Sequence, residues 1–114
     1  MTKNKRRLEK NHKDFLKWFE ANKDLPEVDA HQYCHNNKDE LLKSKKCGCF
    51  YCIKIFTPDR IKKKQWVDMS KTALCPFCGI DSVIGDTSGF PITEEFLFKM
   101  QDTWFSIQIG RAHV

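Results

Sequence analysis

The chain of 114 residues carries 20 Lys and Arg against 15 Asp and Glu, a net charge of +5. That length holds one domain with a modest core, which a metal crosslink would reinforce. Nine Phe, three Trp and two Tyr exclude a compositionally disordered chain, no apolar run approaches the ~20 residues of a bilayer span, and the basic N-terminus lacks the apolar stretch of a secretory signal.

These properties predict a soluble cytoplasmic protein with no membrane partner. In that compartment thiols stay reduced, and paired cysteines point to metal before disulfides. The charge permits a nucleic-acid or acidic protein partner without requiring either. Residues 1–29 read as a basic, amphipathic helical extension. From Arg6 to Lys23, Leu8, His12, Phe15, Leu16 and Phe19 follow helical spacing, and Lys10, Lys13, Lys17 and Glu20 take the other face. Pro26 stops this helix or closely follows its end. A second helix is predicted over Lys38 to Lys43, with Asn37 as its cap and Glu40 completing a capping box.

From Cys47 to Ile84 the texture changes. Cys49 to Phe56 reads as a metal knuckle followed by a short strand. Thr57-Pro58 is a helix-start signal, so a short helix is predicted over Pro58 to Gln65 with Ile61 facing inward. Trp66 to Met69 is expected to return toward the cysteines, and Ser70 to Thr72 to turn. Val83-Ile84 ends in Gly85, and Asp86 to Gly89 is turn chemistry. A third helix is predicted after Ile92, capped by Thr93, with Glu94 and Glu95 in the first turn where the helix dipole favours them. Phe96, Leu97, Met100, Trp104 and Phe105 form its apolar face.

Cys49-Phe50-Tyr51-Cys52 and Cys75-Pro76-Phe77-Cys78 are two CxxC pairs separated by 22 residues. That is close to the ~15–20 typical of four-cysteine zinc sites. Two cysteines three positions apart in a tight turn aim both sulfurs at one ion, and two such turns complete a tetrahedron of thiolates suited to Zn²⁺. A four-thiolate site also accepts iron. A redox CxxC normally stands alone at a helix start in a βαβ setting, which two matched pairs contradict. The prediction is one structural zinc on Cys49, Cys52, Cys75 and Cys78. Cys47 lies two residues before Cys49 and so points to the same side of an extended backbone. It is a candidate alternative ligand or reactive thiol, with a packed free cysteine as the plainer reading. Cys34, between His31 and His35, is a weaker candidate for a second metal site.

The motifs CGCFYC at 47–52, ALCPFCGIDSVIGD at 73–86, SGFPIT at 88–93 and the FL…M…WF pattern at 96–105, with Ile55, Phe56, Pro58 and Trp66, resemble a family of small bacterial cytoplasmic proteins. The segment His35 to Ser44 is similar to that family's histidine-asparagine stretch. The resemblance covers about half the chain, leaves residues 1–29 outside, and implies the knuckle pair but no particular activity.

The predicted architecture is a small α+β domain of zinc-ribbon or treble-clef kind over residues 30–108, with flanking N- and C-terminal helices. The final IGRAHV, residues 109–114, matches the in-frame translation of a common sequencing adapter and is read as a non-native tail. The leading functional expectation is a zinc-stabilised binding module for nucleic acid or a protein partner, with Lys62, Lys63 and Lys64 as candidate phosphate contacts, joined by Lys43, Lys45, Lys46 and Lys71. The plainer reading of those lysines is a solvated face. The competing expectation is a metal-dependent hydrolase or nuclease using His31, His35 and Asp81 or Asp86. Against it, Asp81, Ser82, Asp86 and Ser88 also read as turn and cap chemistry, and no nucleophile–base–orienter set is visible.

Overall fold

The computed structural model describes residues 13–113, and of residues 106–113 the backbone alone. Leu8 and His12 of the predicted N-terminal stripe therefore lie outside the described residues, as do the side chains of the predicted tail. In chain order the elements are α1 (13–22), α2 (Pro26–Asp29), a 3₁₀ turn (Ala30–Cys34), α3 (Lys38–Lys43), β1 (Cys47–Cys49), β2 (Ile55–Phe56), β3 (Trp66–Val67), β4 (Thr72–Ala73), β5 (Val83–Gly85) and α4 (Glu94–His113). The result is a small α+β fold. One antiparallel sheet has the order β2-β1-β5, and a separate hairpin pairs β3 with β4. The register sets Cys47 opposite both Phe56 and Gly85, and Cys49 opposite Val83.

The two-residue period of the strands divides the interior into two clusters. Val83 faces a cluster containing Cys47, Cys49, Cys75, Phe56, Ile61 and Leu41. Its neighbour Ile84 faces the other way, into a cluster with Phe50, Ile92, Leu97 and Met100. Gly48 lets α4 lie close on that second side: a Cβ there would come within 2.8 Å of the Leu97 side chain. Burying these apolar side chains is the main stabilisation available outside the metal site, at about 1.5–3 kcal/mol for each large one.

α4 begins as the sequence predicts. Phe96 N–H donates to Thr93 Oγ1 at 3.2 Å, which satisfies one of the helix's unpaired N-terminal amides. Phe96, Leu97 and Met100 are buried, and Trp104 and Phe105 pack at the edge of the same cluster. Gln101 Nε2 donates to the Tyr51 carbonyl at 2.7 Å and Trp104 Nε1 to the Glu27 carbonyl at 2.9 Å. The helix is thereby tied to the first knuckle on one side and to α2 on the other. Pro26 opens α2, Val28 is buried, and α2 runs straight into the 3₁₀ turn that ends at Cys34.

Phe15, Leu16 and Phe19 of the predicted amphipathic face are 37–48% exposed, and α1 meets the domain through Trp18 as well as Phe15, with the Trp18 ring edge-on to Trp104 at 5.7 Å. Two predictions need correction. The helix predicted over Pro58 to Gln65 is two single 3₁₀ turns, Pro58–Arg60 and Lys63–Gln65. Ile61 between them adopts an extended backbone (φ −81°, ψ 108°) and is buried, so tertiary burial overrides the local start signal; the Thr57 hydroxyl goes to the Asp59 carboxylate. α3 has its predicted bounds, but Asn37 makes no side-chain cap. Asn37 instead donates to the Tyr33 carbonyl at 2.9 Å and the Val83 carbonyl at 2.8 Å, and accepts from Ala73 N–H at 3.3 Å. It is a buried clamp joining three segments.

Candidate metal centre

The first cysteine pair spans the end of β1 and the turn that leads to β2, and the second lies in the segment between β4 and β5. The two turns are built alike. Cys49 N–H donates to the Lys54 carbonyl at 3.0 Å, and Ile53 N–H returns to the Cys49 carbonyl at 2.9 Å. Cys75 N–H donates to the Ile80 carbonyl at 2.9 Å, and Gly79 N–H returns to the Cys75 carbonyl at 2.9 Å. Tyr51 N–H points at Cys49 Sγ (3.4 Å), and Phe77 N–H points at Cys75 Sγ (3.3 Å). Each knuckle therefore aims a backbone amide at a sulfur, an arrangement that favours thiolate over thiol.

The four sulfurs of Cys49, Cys52, Cys75 and Cys78 lie within 4.8 Å of one another, the one such grouping of metal-binding side chains among the described residues. Two cross-knuckle contacts, Cys49 to Cys78 and Cys52 to Cys75, are both 3.6 Å. A tetrahedral ion with bonds of ~2.3 Å to sulfur sets sulfur–sulfur edges of about 3.8 Å. A disulfide would need about 2.05 Å, and all six cysteines are free. The spacing thus fits a shared ion.

Electrostatics bear on the same point. Burial pushes the Cys49 thiol up to about 11, and it also raises Cys78, with the charge of Cys49 adding to the effect. Burial works in the same direction on Cys75, but the Cys78 and Phe77 amides and the neighbouring thiols bring it below its ordinary value. Four thiolates packed this tightly repel one another, and a divalent cation reverses that repulsion. Ser82, buried beside β5, places its hydroxyl 3.3 Å from Cys49 Sγ, and its carbonyl accepts from Phe50 N–H at 3.0 Å. The sequence marks Ser82 only as a turn residue; its contact with a ligand depends on the β1–β5 register.

The remaining candidates fall elsewhere. Cys47 is fully buried on β1, outside the four-sulfur group, and burial drives its thiol up to about 12. Cys34 is buried in the α4 cluster and pushed up to about 11, mainly by burial. His31 lies against Trp104, ring centroids 3.9 Å apart, so it is a packing residue first. His31 and His35 share the wall of a surface cavity of about 500 Å³ with Phe19, Lys23 and Trp104, but neither Asp81 nor Asp86 lines it. Asp81 is exposed and near enough to His31 to influence its charge. Asp86 accepts from Lys45 N–H at 3.0 Å, a long-range tie to the segment after α3, and Ser88 Oγ donates to the Gly85 carbonyl at 2.6 Å within its own turn. Lys62, Lys63 and Lys64 are exposed. No helix among the described residues is long and apolar enough to cross a membrane. Comparisons with family models, with curated proteins and with solved structures return no match.

Proposed function

We propose that Cys49, Cys52, Cys75 and Cys78 bind one structural zinc ion, and that the chain is a small binding module whose fold depends on that ion. The observation that carries this reading is the repeated knuckle: two turns with the same backbone hydrogen bonds, facing each other across two 3.6 Å sulfur–sulfur contacts. Four protein thiolates close the coordination sphere and leave no open position for substrate, which is the pattern of a structural rather than a catalytic site. Both pairs lie on knuckles between strands, and α4 starts only at Glu94, so a zinc ribbon describes the site better than a treble clef. Thiolate ligands require a reducing compartment, in keeping with a cytoplasmic protein. The hydrolase reading has less support, because His31 and His35 share a cavity wall without either aspartate.

Structural zinc contributes about 10–16 kcal/mol in peptide systems, more than the ~5–15 kcal/mol stability of a typical domain. Elemental analysis of purified protein should give one zinc per chain, and a strong chelator should unfold the sheet that carries the cysteines. Cys75→Ser should lose the metal and Cys34→Ser should keep it. A folded, metal-free preparation would reject the reading, and iron in place of zinc would change the ion but not the site.

A further inference from the structure

The ring of Phe77 belongs to the metal turn yet faces solvent. Phe77 lies between Cys75 and Cys78, its amide donates to Cys75 Sγ at 3.3 Å, and its side chain is 49% exposed. Its backbone is thus held by the knuckle, and its ring is backed by the buried Phe56, with centroids 5.7 Å apart and planes tilted by 59°. Two cations address the same ring: Lys54 Nζ lies 6.0 Å and the Arg60 guanidinium 5.7 Å from its centroid. Ile55, next to Lys54 on β2, is also 41% exposed. The surrounding stretch from Lys54 to Lys64 holds five cations against the single carboxylate of Asp59.

We infer that Phe77 is a stacking platform for a base of single-stranded nucleic acid, flanked by Lys54 and Arg60 as phosphate contacts. This rests on the zinc-module reading above and supplies its partner class. A rigidly mounted aromatic ring offers a π-face that any base can use, and cations beside it track the backbone. The ligand that matches a flat apolar face bordered by positive charge is one that repeats a planar group and an anion at short intervals. A nucleotide strand does so, whereas an acidic peptide supplies the anions without the planar groups. On binding, the base covers the ring while the two cations, on flexible stems, turn outward to the adjoining phosphates. A paired duplex keeps its bases stacked inside and offers this ring nothing to cover, so single strands are preferred. Lys62, Lys63 and Lys64, all exposed, follow Arg60 and Ile61 in the chain.

The test is fluorescence anisotropy with zinc-loaded protein, a labelled twelve-nucleotide uridine strand, and a duplex of equal length, over a salt series. The single strand should bind at ~50 mM salt and more tightly than the duplex, with affinity falling as salt rises. Phe77→Leu should lose about tenfold in affinity while Phe77→Trp retains it, because stacking follows the aromatic face. Lys54→Gln and Arg60→Gln should each weaken binding and reduce the salt slope by about one. Metal content is measured for every variant and should stay at one zinc, since no ligand changes. Binding that is absent in zinc-loaded wild type, or equal in Phe77→Leu, overturns the platform and leaves the metal site standing. Competition by polyglutamate as effective as that by the uridine strand also overturns it, in favour of an acidic protein. A chain that purifies folded without metal overturns the module reading and the platform with it.

Discussion

Ile53 holds φ +66° four positions after Cys49, and Gly79 holds φ +78° four positions after Cys75. At both positions the left-handed backbone turns the amide back to the cysteine carbonyl and closes the knuckle. The second knuckle takes the residue that adopts this conformation freely, and the first accepts a β-branched residue at a conformational cost. The Ile53 side chain offsets that cost by packing against the cluster around Phe50 and Met100. A Cβ at Gly79 would meet nothing within 4 Å, so Gly79→Ala should pay the backbone term alone. That is about 1–2 kcal/mol. It should appear as a lower denaturation midpoint at unchanged zinc content. Ile53→Gly exchanges backbone relief for lost packing and should be the milder change, within about 1 kcal/mol of wild type.

Asn37 is the polar residue on which the packing of α3 depends. Its amide serves two carbonyls and one N–H, all from segments distant from one another except Tyr33. Asn37→Ala leaves those groups buried without partners, at about 1–3 kcal/mol for each that water cannot reach. Asn37→Asp is the sharper test, because a carboxylate cannot donate to the Tyr33 and Val83 carbonyls. Both variants should unfold at lower urea than wild type, and Asp should be the worse of the two above pH 5. A neutral Asn37→Ala would show that the clamp adds nothing.

Ser82 stands behind one of the candidate ligands rather than among them. Its hydroxyl, 3.3 Å from Cys49 Sγ and 2% exposed, is placed to donate to that thiolate. Groups contacting a ligand in this way typically govern 10–100-fold of metal affinity. Ser82→Ala should therefore weaken zinc in competition with a chromophoric chelator by about tenfold. Ser82→Thr, which keeps the hydroxyl, should restore most of the loss if the cavity admits its methyl. Unchanged affinity in Ser82→Ala would make the contact incidental.

The parts of this molecule that sequence made legible are those written in local chemistry. The paired CxxC turns, α3 with its Lys38 and Lys43 bounds, the strand ending at Gly85 and the Thr93 cap each depend on residues within a few positions of one another. The misreadings occur where a distant partner decides. Asn37 has every local property of a cap, yet Tyr33, Val83 and Ala73 claim its amide. Thr57-Pro58 signals a helix, yet burying Ile61 needs an extended residue in the middle of it. Phe77 carries no signal of its own in the sequence beyond its place in the second CxxC pair, and its neighbours Lys54 and Arg60 come from 17 or more positions away in the chain. Trp18 falls outside the helical stripe that spacing predicts, and its contact with the domain depends on Trp104, 86 positions away.

His31 is half-buried between Trp104 and Phe50, and its pKa lies below the ordinary histidine value. Burial is the main cause, the positive charge of His35 adds to it, and the exposed Asp81 opposes both. In the unfolded chain this imidazole takes up its proton near pH ~6.5, whereas in the folded chain it does so only at lower pH. Between those two values the unfolded state holds more protons, so stability rises with pH there. Read downward, stability is intact above about pH 6.5, falls as pH drops through that value, and levels off once the folded histidine is also protonated. Acid also displaces zinc from thiolates, so the wild-type profile alone is ambiguous. His31→Phe removes the titration while keeping a ring against Trp104, and leaves all four cysteines in place. The difference between the two proteins isolates the histidine. Urea midpoints from pH 7.5 to 5 should fall more steeply for wild type than for His31→Phe, with zinc content followed in parallel. Parallel profiles would mean that His31 carries the same charge folded and unfolded, and that the acid sensitivity arises elsewhere.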